Sequence, residues 1–544
     1  MKNKEIQPVS FLIIPVLIAA VFKLWLLSTG SIPFNADEAI VALMAKHINQ
    51  GEIPVFFYGQ AYMGSLDAIL ASIGFRLFGE HVWIIRFVQS ILYLGTVFTL
   101  TLLGKQLLGT NKAALYVGLL AAIPPVNVTL YTTVSLGGYG EILLFGNLLL
   151  LGGIKIIKDS QKRDLKIFSW NMLFVLLWSI LAGFSFWVFG LSLVYSIPVI
   201  ILTLHNFLKT KQIQQIGTYL FVFLLGIIIG AMPWLFFAFR EGSTVLLAEL
   251  AGGAIADTNA SLFLLQPLRR LSNLLLLGGT AIFGLRPPWG VQWMMLPLIP
   301  FVMIFWLMAI YYSIRKMAIE RYQPGYLLVY LLGIILILGF IFTPYGGDPS
   351  GRYFLPLIVP MAIIGADFLV TQFSDKKYAQ IALLVLVLVF DLGGTVQSVI
   401  KTPPGITTQF DEITQIDHEN IDELIVFLQS NKITRGYSNY WVAYPLAFLS
   451  DEQILYVPRL PYHEDFRYTA RDDRYLPYTK IVQKSSDIGY ITTKHEPLNE
   501  YLRDKFLSKG ITWNEERIGD YQIFYNLSRA IHPHEMGLGN TTEP

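Results

Sequence analysis

Residues 9–38 read VSFLIIPVLIAAVFKLWLLSTGSIPFNADE. About 20 residues of this stretch are apolar enough to cross the hydrocarbon core as one helix. A turn around Gly30 and Pro33 follows, and then two adjacent carboxylates, Asp37 and Glu38. Charge is scarce in this part of the chain, so an acidic pair just past the first span needs a reason. A carboxylate facing a cavity there can take a proton from a substrate that lies half in lipid and half in water. The span follows Lys2 and Lys4 without a small-residue cleavage site, so it reads as a retained helix and not a signal peptide.

The rest of the chain supports a membrane reading. Of 544 residues, 54% are hydrophobic and only 14% charged, against about a quarter charged in soluble domains. A net charge of +2 gives no reason to expect nucleic acid. There is no cysteine, which excludes disulfides, thiolate metal sites and a cysteine nucleophile. Long apolar runs fill residues 1–400, whereas 401–544 are polar and rich in Asp, Glu, Arg and Tyr. The turn-rich connector Lys401-Thr-Pro-Pro-Gly405 separates the two. We therefore expect a polytopic α-helical membrane domain over 1–400 and a small soluble α/β domain over 401–544.

Candidate spans lie near 9–29, 82–104, 113–131, 139–157, 169–189, 190–208, 217–239, 292–314, 325–343, 352–372 and 378–399. That is about 11 transmembrane helices. With the N-terminus cytoplasmic, the basic loops fall on one side, as the positive-inside rule requires. They carry Lys105 and Lys112; Lys158, Lys162, Arg163 and Lys166; Lys209 and Lys211; Arg315, Lys316 and Arg321; and Lys376 and Lys377. An odd count then puts the C-terminal domain outside the cell membrane. Residues 61–79 carry Asp67 and Arg76 and read as an amphipathic helix on the outer surface, so surface helices are expected near 36–79. Residues 262–285 are flanked by arginines and read as a re-entrant or surface element. Lys23 and Asp367 sit in apolar runs near helix ends, where snorkelling is expected.

The pair itself has a structural explanation beside the chemical one. In NADEAIVALMAKHINQ, residues 35–50, Ile40, Leu43, Met44 and His47 recur at helical spacing, which predicts an amphipathic surface helix. Asn35 is a good N-cap and Glu38 stands where a capping-box acid belongs. One such acid is enough, so Asp37 is the stronger candidate for a general base. An oxygen-liganded divalent cation at Asp37 and Glu38 is left open; the histidines suggest no metal site, with His532 and His534 expected in a loose tail. Downstream, Tyr58, Gln60, Tyr62 and Asp67 offer rings and hydrogen-bonding groups that suit a sugar, and equally an interfacial tyrosine belt. Arg240, Arg269, Arg270 and Arg286 fall in one outer loop against the general charge bias. They suit anionic headgroups or a bound phosphate.

Three runs carry a resemblance: Phe34-Asn-Ala-Asp-Glu38, Tyr58-Gly-Gln-Ala-Tyr-Met-Gly64 and Gly351-Arg-Tyr-Phe-Leu-Pro356. Together they resemble the GT-C glycosyltransferases, in the branch of protein O-mannosyltransferases and bacterial aminoarabinose transferase-like enzymes. The resemblance covers roughly 1–400. It implies a fold of many membrane helices, a sugar donor linked to polyprenyl phosphate, and a glycan, lipid or protein acceptor at the outer face. Asp37 then matches the catalytic base, with Glu38 beside it, and Arg352 a position suited to the donor phosphate, with Arg269, Arg270 or Arg286 assisting. Gly137-Gly-Tyr-Gly-Glu141 resembles a run of bacterial members, which brings Tyr139 and Glu141 into the sugar- and acceptor-binding set. No cofactor is required on this reading. The alternative function is a transporter or flippase of lipid-linked sugars.

For the C-terminal domain, short apolar strands near 433–437, 453–457, 487–492 and 520–525 alternate with helical segments such as 421–428 and 496–508. This predicts a partly parallel sheet. Asn439-Tyr-Trp-Val-Ala-Tyr444 resembles a stretch that follows the membrane region in bacterial relatives.

Overall fold

The computed structural model describes residues 9–161, 170–210, 213–250, 265–319, 324–348, 350–400 and 405–539. Lys2, Lys4, Lys162, Arg163, Lys166, Lys211, Arg321 and the connector Lys401–Pro404, all used above, lie outside the described residues. So do residues 262–264. The chain divides into two compact units, one of Met1–Thr29, Tyr62–Asp67 and Arg86–Ser398, the other of Gly30–Ala61, Ala68–Ile85 and Val399–Pro544. Segments 30–61 and 68–85, expected to belong with the membrane region as parts of its outer surface, thus group with the C-terminal residues.

The first unit is helical and makes the protein an integral membrane protein. Among the described residues, nine helices are long and apolar enough to cross a membrane, or ten if the pair Gln215–Gly230 and Met232–Glu241, bent by 62°, is one span. The expected span 113–131 does not form as one helix. It breaks into Asn111–Ala122 and Val126–Tyr131 because Pro124 and Pro125 lack N–H donors and push Ile123 out of the helical region. Residues 266–282 form short consecutive helical pieces, Gln266–Asn273, Leu274–Gly278 and Gly279–Ile282. Small residues set close helix approach, as between Trp170–Val188 and Ile213–Gly230. A Cβ at Gly183 or Gly230 would overlap the carbonyl oxygens of Ile227 or Ile180.

Two intramembrane charges correct the snorkelling expectation. Lys23 is 1% exposed. Its Nζ donates to the Thr132 carbonyl at 3.0 Å and to the Thr132 and Thr133 hydroxyls at 2.8 and 2.6 Å. It therefore satisfies the end of the short helix Val126–Tyr131, whose carbonyls have no further turn to bond. Asp367 pairs with Lys316 at 2.8 Å and accepts from Thr371.

The second unit contains the strand Phe56–Phe57 (β1), the start of Gln60–Gly64 (β2) and a five-stranded sheet. The sheet's strands are Arg435–Ser438 (β3), Leu455–Pro458 (β4), Gly489–Thr493 (β5), Asn514–Ile518 (β6) and Tyr521–Tyr525 (β7), in the order β4-β3-β5-β7-β6. β3 is parallel to β4 and β5; β7 is antiparallel to β5 and β6. The expected partly parallel α/β domain is therefore present. The edge strand β6 was not anticipated, because Asn514, Glu515, Glu516 and Arg517 are exposed and polar, as suits a protected sheet edge. Leu424, Leu428, Val442, Leu446, Ile491 and Ile523 form its core.

The helix Ala36–Asn49 is a further correction: it is buried nearly all round, with Lys46 and His47 among the buried residues. Its neighbour in this unit is the helix Tyr440–Leu449. Phe448 lies against Phe34 and Phe75, at ring separations of 5.7 and 6.0 Å. Glu452, just past that helix, bonds His47 at 3.0 Å and Lys46 at 3.1 Å, and Lys46 also pairs with Asp451. A helix that reads as half-polar is thus covered on its polar side by opposite charge.

Candidate active site

In the second unit, Asn35 caps the helix Ala36–Asn49 by accepting a hydrogen bond from the Glu38 N–H at 3.0 Å. This cap puts Asp37 and Glu38 in the first turn, where the helix dipole favours negative charge. The two acids then part. Glu38 has 0% exposure, whereas Asp37 is only half-buried. Asp37 Oδ1 accepts a hydrogen bond of 2.5 Å from the Tyr440 hydroxyl. Tyr440 opens its own helix, started by Asn439, whose side chain accepts from the Trp441 and Val442 N–H groups. Burial, with the Asp37 charge added, pushes the Tyr440 phenol well above its ordinary value. Tyr440 therefore keeps its proton and donates it in this bond.

Around this contact stand side chains from the same unit. Arg474 lies 5.5 Å over the Tyr440 ring. The Gln60 amide oxygen, oriented to match donor to acceptor, takes both Arg474 Nη groups at 2.7 and 2.8 Å. Gly59 adopts φ +69° and a Cβ there would stand 2.8 Å from Arg474 Cδ, so only glycine fits this turn. Asp472 is 8% exposed. Burial raises its carboxyl to about 7, Asp37 adding to the rise and Arg474 opposing it. Tyr58 goes elsewhere: its hydroxyl meets His47 Nδ1 at 2.9 Å and its ring stacks on Tyr475 at 4.7 Å.

The first unit holds a separate cluster. Asp67 Oδ2 accepts from the Ser135 hydroxyl and the Gly137 N–H, both at 3.0 Å. Gln89 Nε2 donates to Ser135 at 3.3 Å and to Glu141 Oε1 at 2.9 Å. Asp67 and Glu141 are thus joined through two neutral groups. Gly137 and Gly138, at φ +88° and +80°, make the turn that aims the Gly137 N–H at Asp67. Glu141 is fully buried and its Oε2 has no partner.

Beside this chain of groups a circuit of rings closes: Tyr62 to Phe189 at 6.2 Å, Phe189 to Tyr139 at 4.8 Å, Tyr139 to Tyr353 at 6.4 Å, Tyr353 to Tyr345 at 5.3 Å and Tyr345 to Tyr62 at 6.4 Å. Arg352 lies 5.1 Å over Tyr353, and its Nη2 pairs with Asp348 at 2.5 Å. Arg352 Nε and the Tyr139 and Tyr353 hydroxyls are buried without a partner. Buried donors left unmatched cost free energy, and three in one cluster suit an oxyanion.

The loop arginines divide. Arg286 is 5% exposed and spends its guanidinium on Thr280, Leu277 and Pro287 at 2.8, 2.8 and 3.0 Å. It ties off its own helical segment with three of its five N–H donors. Arg270 bonds Gln266 at 2.9 Å and packs its stem on Gly346; Arg269 is exposed. No group of three or more His, Cys, Asp or Glu among the described residues could hold a metal ion.

Sequence reasoning missed Tyr440, Asp472 and Arg474 as neighbours of Asp37, and Asp348 and Tyr345 as neighbours of Arg352. Tyr440 lay within a noted run; Asp472 and Arg474, in Arg471-Asp-Asp-Arg474, look like ordinary surface charge.

No protein-family model matches the chain. No curated protein matches it either. Among solved structures it is similar to ArnT from Cupriavidus metallidurans bound to undecaprenyl phosphate, at 10% identity over 95% of this chain and 98% of that one, with a TM-score of 0.57. It is also similar to the apo oligosaccharyltransferase of Archaeoglobus fulgidus, at 13% identity over 90% of this chain and 70% of that one, with a TM-score of 0.57. A structure of that archaeal enzyme, AglB, in complex with an inhibitory peptide and a dolichol-phosphate matches with a TM-score of 0.52 at 11% identity, over 89% and 69% of the two chains. The chain shares the fold of these solved structures, as the resemblance of its motifs led us to expect.

Proposed function

We propose that the protein is a membrane glycosyltransferase that moves a sugar from a polyprenyl-phosphate donor to a hydroxyl acceptor at the extracytoplasmic face. The N-terminus is then cytoplasmic and the C-terminal region extracytoplasmic, as the basic loops suggest. One observation carries the reading: in a chain that shares the fold of ArnT and AglB, the acid that follows the first span is half-buried and held by a tyrosine hydroxyl at 2.5 Å. The proposed reaction is a single inverting displacement. The acceptor oxygen attacks the anomeric carbon, the bond from that carbon to the phosphate oxygen breaks, and its electron pair leaves with the lipid phosphate. Asp37 takes the acceptor proton, a role typically contributing about 10²–10⁴-fold. Arg352 is assigned the charge growing on the phosphate, supported by its unpartnered Nε and the two free tyrosine hydroxyls nearby. Tyr62, Tyr139 and Glu141 are assigned to the sugar or acceptor, and no metal is assigned.

Transfer from radiolabelled polyprenyl-phosphate sugars to membrane extract tests this. The native protein should release free polyprenyl phosphate, and Asp37→Asn should lower turnover by about 10²-fold or more with expression intact. Near-native turnover in that variant would sink the assignment of the base. Donor binding without turnover in either form would point to a transporter of lipid-linked sugars.

A further inference from the structure

The C-terminal part of the second unit contains a cavity of about 290 Å³ that the proposed reaction does not use. Tyr437, Arg459, Gln483, His532 and His534 line it. Tyr437 stands one residue before the end of β3 and Arg459 is the first residue after β4, and these two strands are parallel. In open α/β sheets, ligands bind in crevices at the carboxyl ends of parallel strands. The other wall is the segment 531–539, which corrects the expectation of a loose tail. The Tyr490 hydroxyl bonds the Ile531 carbonyl, the Tyr501 hydroxyl bonds that of Met536 at 2.7 Å, and a capping box closes the turn Pro533–Met536. Gly539, at φ +66°, passes so close to Arg459 that a Cβ would stand 3.1 Å from its carbonyl oxygen. This wall is built, and it brings two imidazoles to the cavity.

The chemistry of the lining is one-sided. Among the described residues that line it, there is a guanidinium, two imidazoles, a phenol and an amide, and no carboxylate. The nearest acids are already engaged. Asp473 takes Arg459 Nη2 and the Thr479 hydroxyl, both at 2.7 Å. Glu535 takes the His532 N–H at 2.8 Å and faces Arg529 at 3.8 Å. His532 Nδ1 meets the Tyr437 hydroxyl at 2.7 Å, and the His534 ring lies parallel to it, 6° from coplanar at 5.8 Å. The Arg459 guanidinium, the Gln483 amide and the Nε2 atoms of the two imidazoles are the groups left to meet a ligand and favour an anion, and the volume is near the lower end for small-molecule sites, about 300–1,000 Å³.

We propose that this cavity binds a small anionic ligand, a phosphate or carboxylate carried on a sugar-sized molecule. The site is independent of the reaction assigned to Asp37. Calorimetric titration of the detergent-purified full chain with glucose 6-phosphate, glucuronate and neutral glucose tests it, the first two separating phosphate from carboxylate. The expected result is saturable binding of at least one anion with a dissociation constant of about 1 mM or tighter, and none of glucose. Arg459→Gln should weaken it roughly ten-fold or more. His534→Gln, at an exposed position, should weaken it by roughly three-fold or more, and decides the matter if the arginine variant does not fold. Asp37→Asn should bind as the native protein does. The proposal is overturned by absence of saturable binding of both anions, by equal binding of glucose, by native affinity in His534→Gln, or by loss of binding in Asp37→Asn.

Discussion

Asp37 and Glu38 are neighbours in the chain with opposite fates. One helical turn start points Glu38 inward and leaves Asp37 to meet Tyr440. A hydrogen bond to an ionised acceptor is worth about 1.5–3 kcal/mol. Tyr440→Phe should therefore lower kcat roughly ten- to a hundred-fold with KM nearly unchanged, since the phenol positions the base and does not hold substrate; steady-state kinetics with a labelled donor would show the split. Asp472 offers a pH signature. Its folded carboxyl, raised to about 7 by burial, keeps its proton longer than the unfolded chain does, whose value is 3.8. The stability this group contributes is then full below the unfolded value and is lost as pH rises to about 7. Asp472→Asn cannot ionise. Its thermal midpoint relative to the native protein should rise between pH 5 and pH 8, by the equivalent of on the order of a few kcal/mol; a flat difference would refute the assignment.

At the scale of elements, the helix Ala36–Asn49 is held by the turn that follows Tyr440–Leu449. Burial alone would raise the Glu452 carboxyl, but hydrogen bonds from His47, Tyr478 and Lys46 outweigh it and bring it to about 2. A depressed acid contributes stability above its unfolded value, here 4.5, and loses it as pH falls toward 2. Glu452→Gln should cost about 1–3 kcal/mol at pH 7, with the penalty shrinking below the unfolded value; chemical unfolding at two pH values would measure it. The amphipathic pattern of residues 35–50 made this helix legible. Its burial was not, because the partners that cover Lys46 and His47 stand some 400 residues away. Likewise, two prolines in a run of apolar residues left 113–131 looking like a span, when local backbone chemistry breaks it in two.

For the whole molecule, the second unit gathers non-contiguous chain, Gly30–Ala61, Ala68–Ile85 and Val399–Pro544. The C-terminal region is then no detachable appendage. Deleting residues 405–544 should strip Phe34 and Phe75 of Phe448, and Asp37 of Tyr440. The expected outcome is loss of transfer activity together with new protease cleavage within 30–61, read by limited proteolysis and mass spectrometry. A truncated protein that keeps its activity and resists cleavage there would show that segments 30–61 and 68–85 fold without the C-terminal residues.

The amino-acid order was enough to establish a membrane protein with a polar α/β region, the helix start that carries Asp37 and Glu38, and the likeness to GT-C enzymes. Those features rest on hydrophobic length, periodicity and capping, which act over a few residues or along one helix. Tertiary structure alone separated Asp37 from Glu38, set Tyr440 on the first and ringed Arg352 with tyrosines. It also tied Arg286 to its own backbone and turned the tail around His532 and His534 into a cavity wall. Each of these depends on which distant side chain fills the space beside a group. Burial, hydrogen bonding and charge pairing between such side chains become defined only when the chain has folded.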